Sequence, residues 1–301
     1  MERILFLGIN GYVGQNIQNY LSKNGLDKKF TIYGTDISPN ETKGCDINFI
    51  KCDLTSTTEL RELLIEVRAE YIVNLVGISR CKDFNRFLTL NVNLSHNILD
   101  IIQKENIEHK KIILIGSAAE YGANKNVPLK EEDFLLPIGA YGLSKKMQTS
   151  VMEYFSQNSN LNICLARIFN LVSQSTPSTF ALGHFANQIN QFEEKGILNT
   201  GNLASKRDFL HIDDAISALL TIATKGISGE IYNICSNQSF KIRDLLQIMI
   251  TSTPKIITVN EDTTPNPNNI NDSYGNNNKL KQLGWSQKID ITETIKKMIT
   301  K

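Results

Sequence analysis

Two tyrosines in this chain stand four residues before a lysine, and one of the two pairs is placed to move protons. Tyr121 and Lys125 lie in "EYGANK", and Tyr141 and Lys145 in "AYGLSK". With nine tyrosines in a lysine-rich chain, one such spacing is expected by chance. The first pair sits among Gly, Asn and a nearby Pro, a loop composition in which a separation of four fixes no geometry. The second opens a periodic stretch running to Tyr154, where residues i and i+4 share a helix face. A phenol with an unperturbed pKa of about 10 is a slow proton donor at neutral pH. A neighbouring ammonium is expected to stabilise the phenolate and lower that value.

Ser117 closes the apolar run "KKIILIGS". A hydroxyl at the carboxyl end of a parallel strand can donate to a carbonyl oxygen that is gaining charge. At the amino terminus, "GINGYVG" supplies Gly8, Gly11 and Gly14 between an apolar run and a helical pattern. Glycine there allows a tight turn, a close approach to a diphosphate and close helix packing. The segment holding Gly8, Asn10, Gly11, Tyr12, Val13 and Gly14 is therefore a candidate dinucleotide cradle. Asp36 ends the next apolar run, where a carboxylate accepts from both ribose hydroxyls and repels a 2'-phosphate. No arginine lies within eight residues of it, so NAD(H) is favoured over NADP(H), although Lys43 is within reach in sequence. Asp53, followed by Leu54, is open to two readings: a turn residue, or a contact to the adenine amino group.

The elements that must position these residues follow from hydrophobic pattern. Residues 3–8, 30–36, 47–53, 71–77, 110–116 and 161–169 are rich in Ile, Leu and Val without clean alternation, as befits strands buried on both faces. Between them, "TSTTELRELLIEV" places Leu60, Leu63, Leu64 and Val67 on one helical face with Thr57 or Thr58 as its cap, and residues 87–102 and 141–155 read as helices. The alternation predicts an α/β fold with a doubly wound parallel sheet. Beyond residue 170 the rhythm loosens into "STFALGHFANQINQFEEKG", "IDDAISALLTIATKG" and "KIRDLLQIMI" as helices, with "GEIYNICS" as a strand. Residues 260–278, rich in Asn and Pro, read as a loop: a solvated excursion or a flap over a ligand.

Composition bounds the function. At 301 residues and 41% apolar, the chain is long enough for an enzyme with one large core and a smaller lobe. Lys and Arg number 32 against 31 Asp and Glu, so no global field draws it to nucleic acid or a membrane. The five cysteines, Cys45, Cys52, Cys81, Cys164 and Cys235, contain no C-x-x-C pair. Reduced thiols in a cytoplasmic protein are expected, with no metal site. "RILFLG" is too short for a signal-peptide core, and no apolar run approaches membrane-spanning length.

Taken together, "GINGYVG", Asp36, "KCDLT", "GSAAEYG", "AYGLSK", "RIFN" and "GNLASKRDFLHIDDA" resemble the extended short-chain dehydrogenase/reductase family of nucleotide-sugar-modifying enzymes over nearly the whole chain. The resemblance implies a Rossmann domain over 1–169, also receiving 206–235, and a smaller C-terminal α/β substrate lobe over 170–301. It implies a Ser117, Tyr141 and Lys145 triad, with Tyr141 and Lys145 also touching the cofactor. It further implies a homodimer in which the helices near 87–102 and 141–155 form a four-helix bundle. "GNLASKRDFLHIDD" looks like the GDP-sugar branch, which makes Arg207 a contact to the substrate diphosphate and Asn170 a further substrate contact. Dehydratase relatives carry acidic residues after the catalytic Ser or Thr; Ala118 and Ala119 stand there. Two departures concern the substrate: Asn266 and Pro267, where reductase relatives carry Arg before Pro, and His184, where an acid is expected. The implied activity is reduction of the C4 ketone of a nucleotide-activated sugar, or its reverse. A 4-epimerase with tightly held NAD and a noncatalytic nucleotide sensor are the rivals.

Overall fold

The computed structural model describes residues 1–39, 46–264 and 270–299. Along the first half run β1 (Glu2–Leu7), α1 (Tyr12–Lys23), β2 (Phe30–Asp36), β3 (Asn48–Lys51), α2 (Thr57–Val67), β4 (Tyr71–Asn74), α3 (Phe84–Phe87), α4 (Leu94–Lys104), β5 (Lys111–Ser117), α5 (Ala140–Asn158) and β6 (Ile163–Ile168). The second half contains β7 (Asn170–Val172), α6 (Ala181–Gln191), β8 (Lys195–Thr200), β9 (Lys206–Arg207), β10 (Phe209–His211), α7 (Ile212–Lys225), β11 (Ile231–Ile234), β12 (Phe240–Lys241), α8 (Ile242–Thr251), β13 (Ile256–Glu261), β14 (Asp272–Ser273), α9 (Asn278–Gln282) and α10 (Ile291–Lys297).

Seven parallel strands form one sheet in the order β11-β6-β5-β4-β1-β2-β3. The absence of apolar alternation in sequence has its cause here. Ile4 and Phe6 of β1 enter one core layer and Leu5 and Leu7 the other; β6 divides Cys164 and Ala166 from Ile163 and Leu165 in the same way. The first layer packs under α1 and α7 through Ile17, Leu21, Ile216, Leu219 and Ile222. The second packs under α2, α4 and α5 through Leu60, Leu64, Ile98, Ile102, Met152 and Phe155. Burying these side chains on both faces contributes about 1.5–3 kcal/mol each before chain entropy is set against it.

A third core, built from Val172, Leu182, Phe185, Leu198, Phe209, Leu245, Met249 and Ile295, lies among α6, α8, α10 and the short strands. There β8 pairs with β13, β7 with β10, and β9 with both β12 and β14.

Two local readings are corrected. Helix α2 is capped by Ser56, whose hydroxyl accepts from Glu59 N at 3.3 Å, and not by Thr57 or Thr58, which are already helical. The stretch 260–278 is only partly irregular. β13 continues to Glu261, β14 pairs with β9, and Gly275 is packed so tightly that a Cβ there would come within 2.7 Å of Phe169 and Cys235. Asn266, Pro267, Lys43 and Cys45 lie outside the described residues. Cys52, Cys81, Cys164 and Cys235 are free thiols. Among the described residues no helix is long and apolar enough to cross a membrane.

Candidate active site

The carboxyl ends of β1, β2, β4 and β5 converge on one edge of the sheet, where chain reversals leave room for a ligand. Gly8 turns the chain out of β1 with φ +82°, a conformation that costs a side-chain-bearing residue dearly. Gly14 lies against β1's exit so closely that a Cβ would meet Ile9 O at 2.3 Å. Helix α1 begins at Tyr12 with Gly11 as N-cap, no side-chain cap and no acid in its first turn. Its leading N–H groups are therefore directed at whatever anion lies before them. This geometry fits a dinucleotide diphosphate, and Asn10, Tyr12 and Val13 are carried on the same turn.

Asp36 stands at the end of β2, where its carboxylate accepts from Asn10 N at 3.1 Å and from Ile37 N at 2.8 Å. Those two bonds fix the carboxylate beside the glycine turn while leaving acceptor capacity on both oxygens. Asp53 is in part a turn residue: its Oδ1 accepts from Thr55 N at 2.9 Å and Thr55 Oγ1 at 2.7 Å, which lowers its pKa. Leu54 turns its side chain into the core under the sheet.

The structure brings Ser117, Tyr141 and Lys145 together. Ser117 ends β5, and the Tyr141 phenol, carried on the first turn of α5, lies close enough to the serine hydroxyl for it to favour the phenolate. Lys145 lies one turn further on, buried, with Nζ donating to Ile115 O at 2.8 Å and to Gln148 Oε1 at 2.9 Å. Burial lowers the Lys145 pKa to about 8, against the opposing pull of Glu120. The expected lowering of the Tyr141 pKa is not found. Burial raises it, the nearby Ser117 hydroxyl offsets part of that, and the negative charge of Glu120 adds to the rise.

Tyr121 is elsewhere. It is fully buried, accepts from Arg167 Nη1 at 2.9 Å and donates to Asn233 Oδ1 at 2.8 Å, and Lys125 plays no part in this arrangement. Glu120 joins it in a buried assembly the sequence reading missed. Its Oε2 accepts from Arg167 Nη2 at 2.9 Å and Thr149 Oγ1 at 2.7 Å, and its Oε1 accepts from Ser117 N at 2.7 Å. The group ties β5, α5 and β6 around the serine. The signal was present in "SAAE": a Ser and a Glu three apart make a capping box, and both of its bonds form.

Arg207 sits on β9, half-buried, its Nη1 donating to Lys206 O and Ile270 O. Its remaining N–H groups make no hydrogen bond among the described residues, and burial lowers its pKa. Asn170 heads β7, with Nδ2 donating to Asp208 O at 2.8 Å. Asp208, also missed in sequence, is fully buried. Its carboxylate accepts from Ser236 N and Oγ, Asn237 N and Gly275 N, and burial raises its pKa to about 6. It pins the strand that carries Arg207 to the loops on either side.

Comparison with known proteins agrees with this architecture. The NAD dependent epimerase/dehydratase family model matches residues 4–235. GDP-6-deoxy-D-mannose reductase of Pseudomonas aeruginosa is 25% identical over 257 residues, covering 82% of this chain and 79% of the relative. GDP-6-deoxy-D-talose 4-dehydrogenase of Aggregatibacter actinomycetemcomitans is 22% identical, covering 82% and 79%. Among solved structures, RMD from Pseudomonas aeruginosa complexed with NADPH superposes with a TM-score of 0.83 at 22% identity, over 99% of this chain and 96% of that one. A UDP-glucuronic acid 4-epimerase mutant from Bacillus cereus, in complex with NAD, gives 0.82 at 21% identity over 98% and 97%. With a seven-stranded parallel sheet, a glycine turn shaped for a diphosphate and a family match across the first three quarters of its length, the chain belongs to the NAD dependent epimerase/dehydratase family.

Proposed function

We propose that the protein is a nucleotide-sugar oxidoreductase that reduces a C4 ketone of a nucleotide-activated sugar, with the reverse dehydrogenation available at the same site. The observation that carries this is the meeting of Ser117, at the carboxyl end of β5, with the first turn of α5, which brings the Tyr141 phenol beside the serine and the Lys145 ammonium one helical turn away, on Ile115 O of the same strand. Gly8, Gly11, Gly14 and Asp36 would hold a nicotinamide dinucleotide, which would supply or accept the hydride. NAD(H) is favoured by the Asp36 carboxylate, and the NADPH complex of the Pseudomonas structure keeps NADP(H) in the test.

The chain's own residues manage the oxygen. Ser117 donates to the C4 oxygen as negative charge gathers on it. Tyr141 gives up its phenolic proton to that oxygen in reduction and takes it back in oxidation. Lys145 supplies a positive charge beside the phenolate left behind. A phenol with a raised pKa is a weaker acid but a stronger base once ionised, so the ammonium's presence decides how readily the exchange runs. Arg207 has N–H groups unpaired among the described residues for the substrate diphosphate, and Asn170 is bonded to Asp208 O, of the residue after Arg207. We take residues 170–301, apart from the segment at 206–235, as the substrate side, and the GDP-sugar relatives make a GDP-linked substrate the first to test.

Elimination of water from the sugar is disfavoured. Ala118 and Ala119 carry no acid or base, and the next residue, Glu120, is committed to Arg167, Thr149 and Ser117 N. Helix α5 exposes Leu143, Met147 and Tyr154, a face suited to the homodimer contact implied by the family resemblance. The test is to follow NADH and NADPH absorbance with GDP-, dTDP-, UDP- and CDP-linked 4-ketosugars. Consumption of reduced cofactor by one of them is the expected result. Copurifying NAD with turnover in the absence of added cofactor would favour a 4-epimerase. Tight cofactor binding with silence towards every sugar would leave a sensor.

A further inference from the structure

A cavity of about 590 Å³ opens beside the proposed reaction centre. One wall is the loop after β4, with Ser79, Arg80, Cys81 and Lys82; the other includes Phe87 and Tyr141. Arg80 and Lys82 are two residues apart, and the residues lining the cavity include no acid. Among the described residues neither cation makes an ion pair or a hydrogen bond. Asp83, the acid next to them, turns its Oδ1 to the amide of Asn85 and caps α3. The first turn of α5, which forms the Tyr141 side, also carries no acidic residue.

Two cations with no acid among the residues beside them lay a positive potential over the open depression they line. A neutral sugar would draw little from that field. A carboxylate would accept charge-assisted hydrogen bonds from the ammonium and from the guanidinium fork. Because the cavity borders Tyr141, a ligand placed with its reacting oxygen at the phenol presents its neighbouring ring substituents to this wall. We infer that the sugar carries a carboxylate on the ring and that Arg80 and Lys82 select it over its neutral counterpart. This deepens the proposed function and rests on it.

The proposed phosphate contacts lie elsewhere in the chain. Arg207 is carried on β9 with guanidinium N–H groups that make no hydrogen bond among the described residues, and the leading amides of α1 stand at the glycine turn. Arg80 and Lys82 are left to read the sugar rather than the diphosphates. That division of labour can be measured.

The experiment is isothermal titration of the NAD-loaded protein with UDP-glucose, UDP-glucuronate, GDP-mannose and GDP-mannuronate, and with UDP and GDP alone. The same series is run on the Arg80→Gln/Lys82→Gln double variant, with its melting temperature as the folding check. In the unaltered protein the acidic member of at least one pair binds about tenfold tighter than the neutral one. In the double variant that preference disappears. Equal affinities for acid and neutral sugars overturn the inference and leave the proposed function standing. So does a preference that survives in the double variant. If the variant loses UDP or GDP by the same factor as the acidic sugar, the cations face the diphosphate and the inference is wrong. Absence of all nucleotide and nucleotide-sugar binding overturns the proposed function and this inference together.

Discussion

The Tyr12 phenol lies 2.9 Å from the Ser173 hydroxyl, joining the head of helix α1 to the segment that follows β7. Thr176 Oγ1 is within 3.2 Å of the same phenol and also accepts from Ser173 N. Phe180, on the approach to α6, packs on the Tyr12 ring with centroids 6.0 Å apart. The turn proposed to present its amides to the cofactor diphosphate is thus bonded to the entrance of the third core. Anything that fixes one end restricts the other.

Tyr12→Phe keeps the ring contact and removes the bonds to Ser173 and Thr176. If the tether transmits order, bound NAD tightens nucleoside diphosphate binding, and the variant loses that gain by about fivefold, at the lower end of common coupling strengths. The measurement is the Kd for GDP or UDP with and without NAD, in both proteins. An unchanged ratio in Tyr12→Phe would assign the phenol to packing alone.

The two tyrosines should separate rate from stability. Tyr141→Phe removes the proposed proton donor and lowers the rate by about 10²- to 10⁴-fold, with little change in melting temperature. Tyr121→Phe leaves the Asn233 carbonyl and an Arg167 N–H without their buried partner. It costs about 1–3 kcal/mol of stability, and the folded fraction keeps its rate. The reverse pattern, a slow but stable Tyr121→Phe and an active Tyr141→Phe, would exchange the roles assigned to the pairs.

Lys145 gives a pH dependence with a definite sign. Its folded pKa is lowered from 10.5 to about 8, so the ammonium proposed to act beside the phenolate is lost as pH rises through about 8. The kcat/KM profile of the reaction should fall on its alkaline side near that value. Arginine stays charged across this range, so whatever activity Lys145→Arg retains should lack the limb. For stability the sign is opposite: between about pH 8 and 10.5 the unfolded chain binds the extra proton, and this residue's contribution becomes more favourable as pH rises. An alkaline limb that persists unchanged in Lys145→Arg would place the titration on another group.

The sheet was legible because both faces of its strands are buried, and continuous Ile, Leu and Val runs such as 110–116 leave few other fates. The helix around Tyr141 was legible from the periodicity that separates its buried face from Leu143 and Met147. The environment of the phenol was not. Spacing puts an ammonium on the same face but cannot say that Ile115 O and Gln148 hold it. Asp208 was missed because its donors come from Ser236, Asn237 and Gly275, all distant in sequence. The short strands β8 and β13 were missed because each is half exposed and finds its partner about sixty residues away.

The buried Glu120–Arg167 pair lies directly behind the proposed reaction centre, where Glu120 accepts from the Ser117 amide. Both side chains are essentially inaccessible, and Glu120 also holds the Ser117 amide at 2.7 Å. Arg167→Met would strand a buried carboxylate and destabilise the fold by about 3–5 kcal/mol. Adding Glu120→Gln removes the stranded charge, so the double variant should recover part of the loss in urea unfolding, giving a coupling well above the error of a double-mutant cycle. The rate should not recover with it, because glutamine in place of the carboxylate weakens the acceptor that fixes Ser117. Full recovery of both stability and rate would show that the pair serves only to fill the space between β5 and β6, and that Ser117 is held by other means.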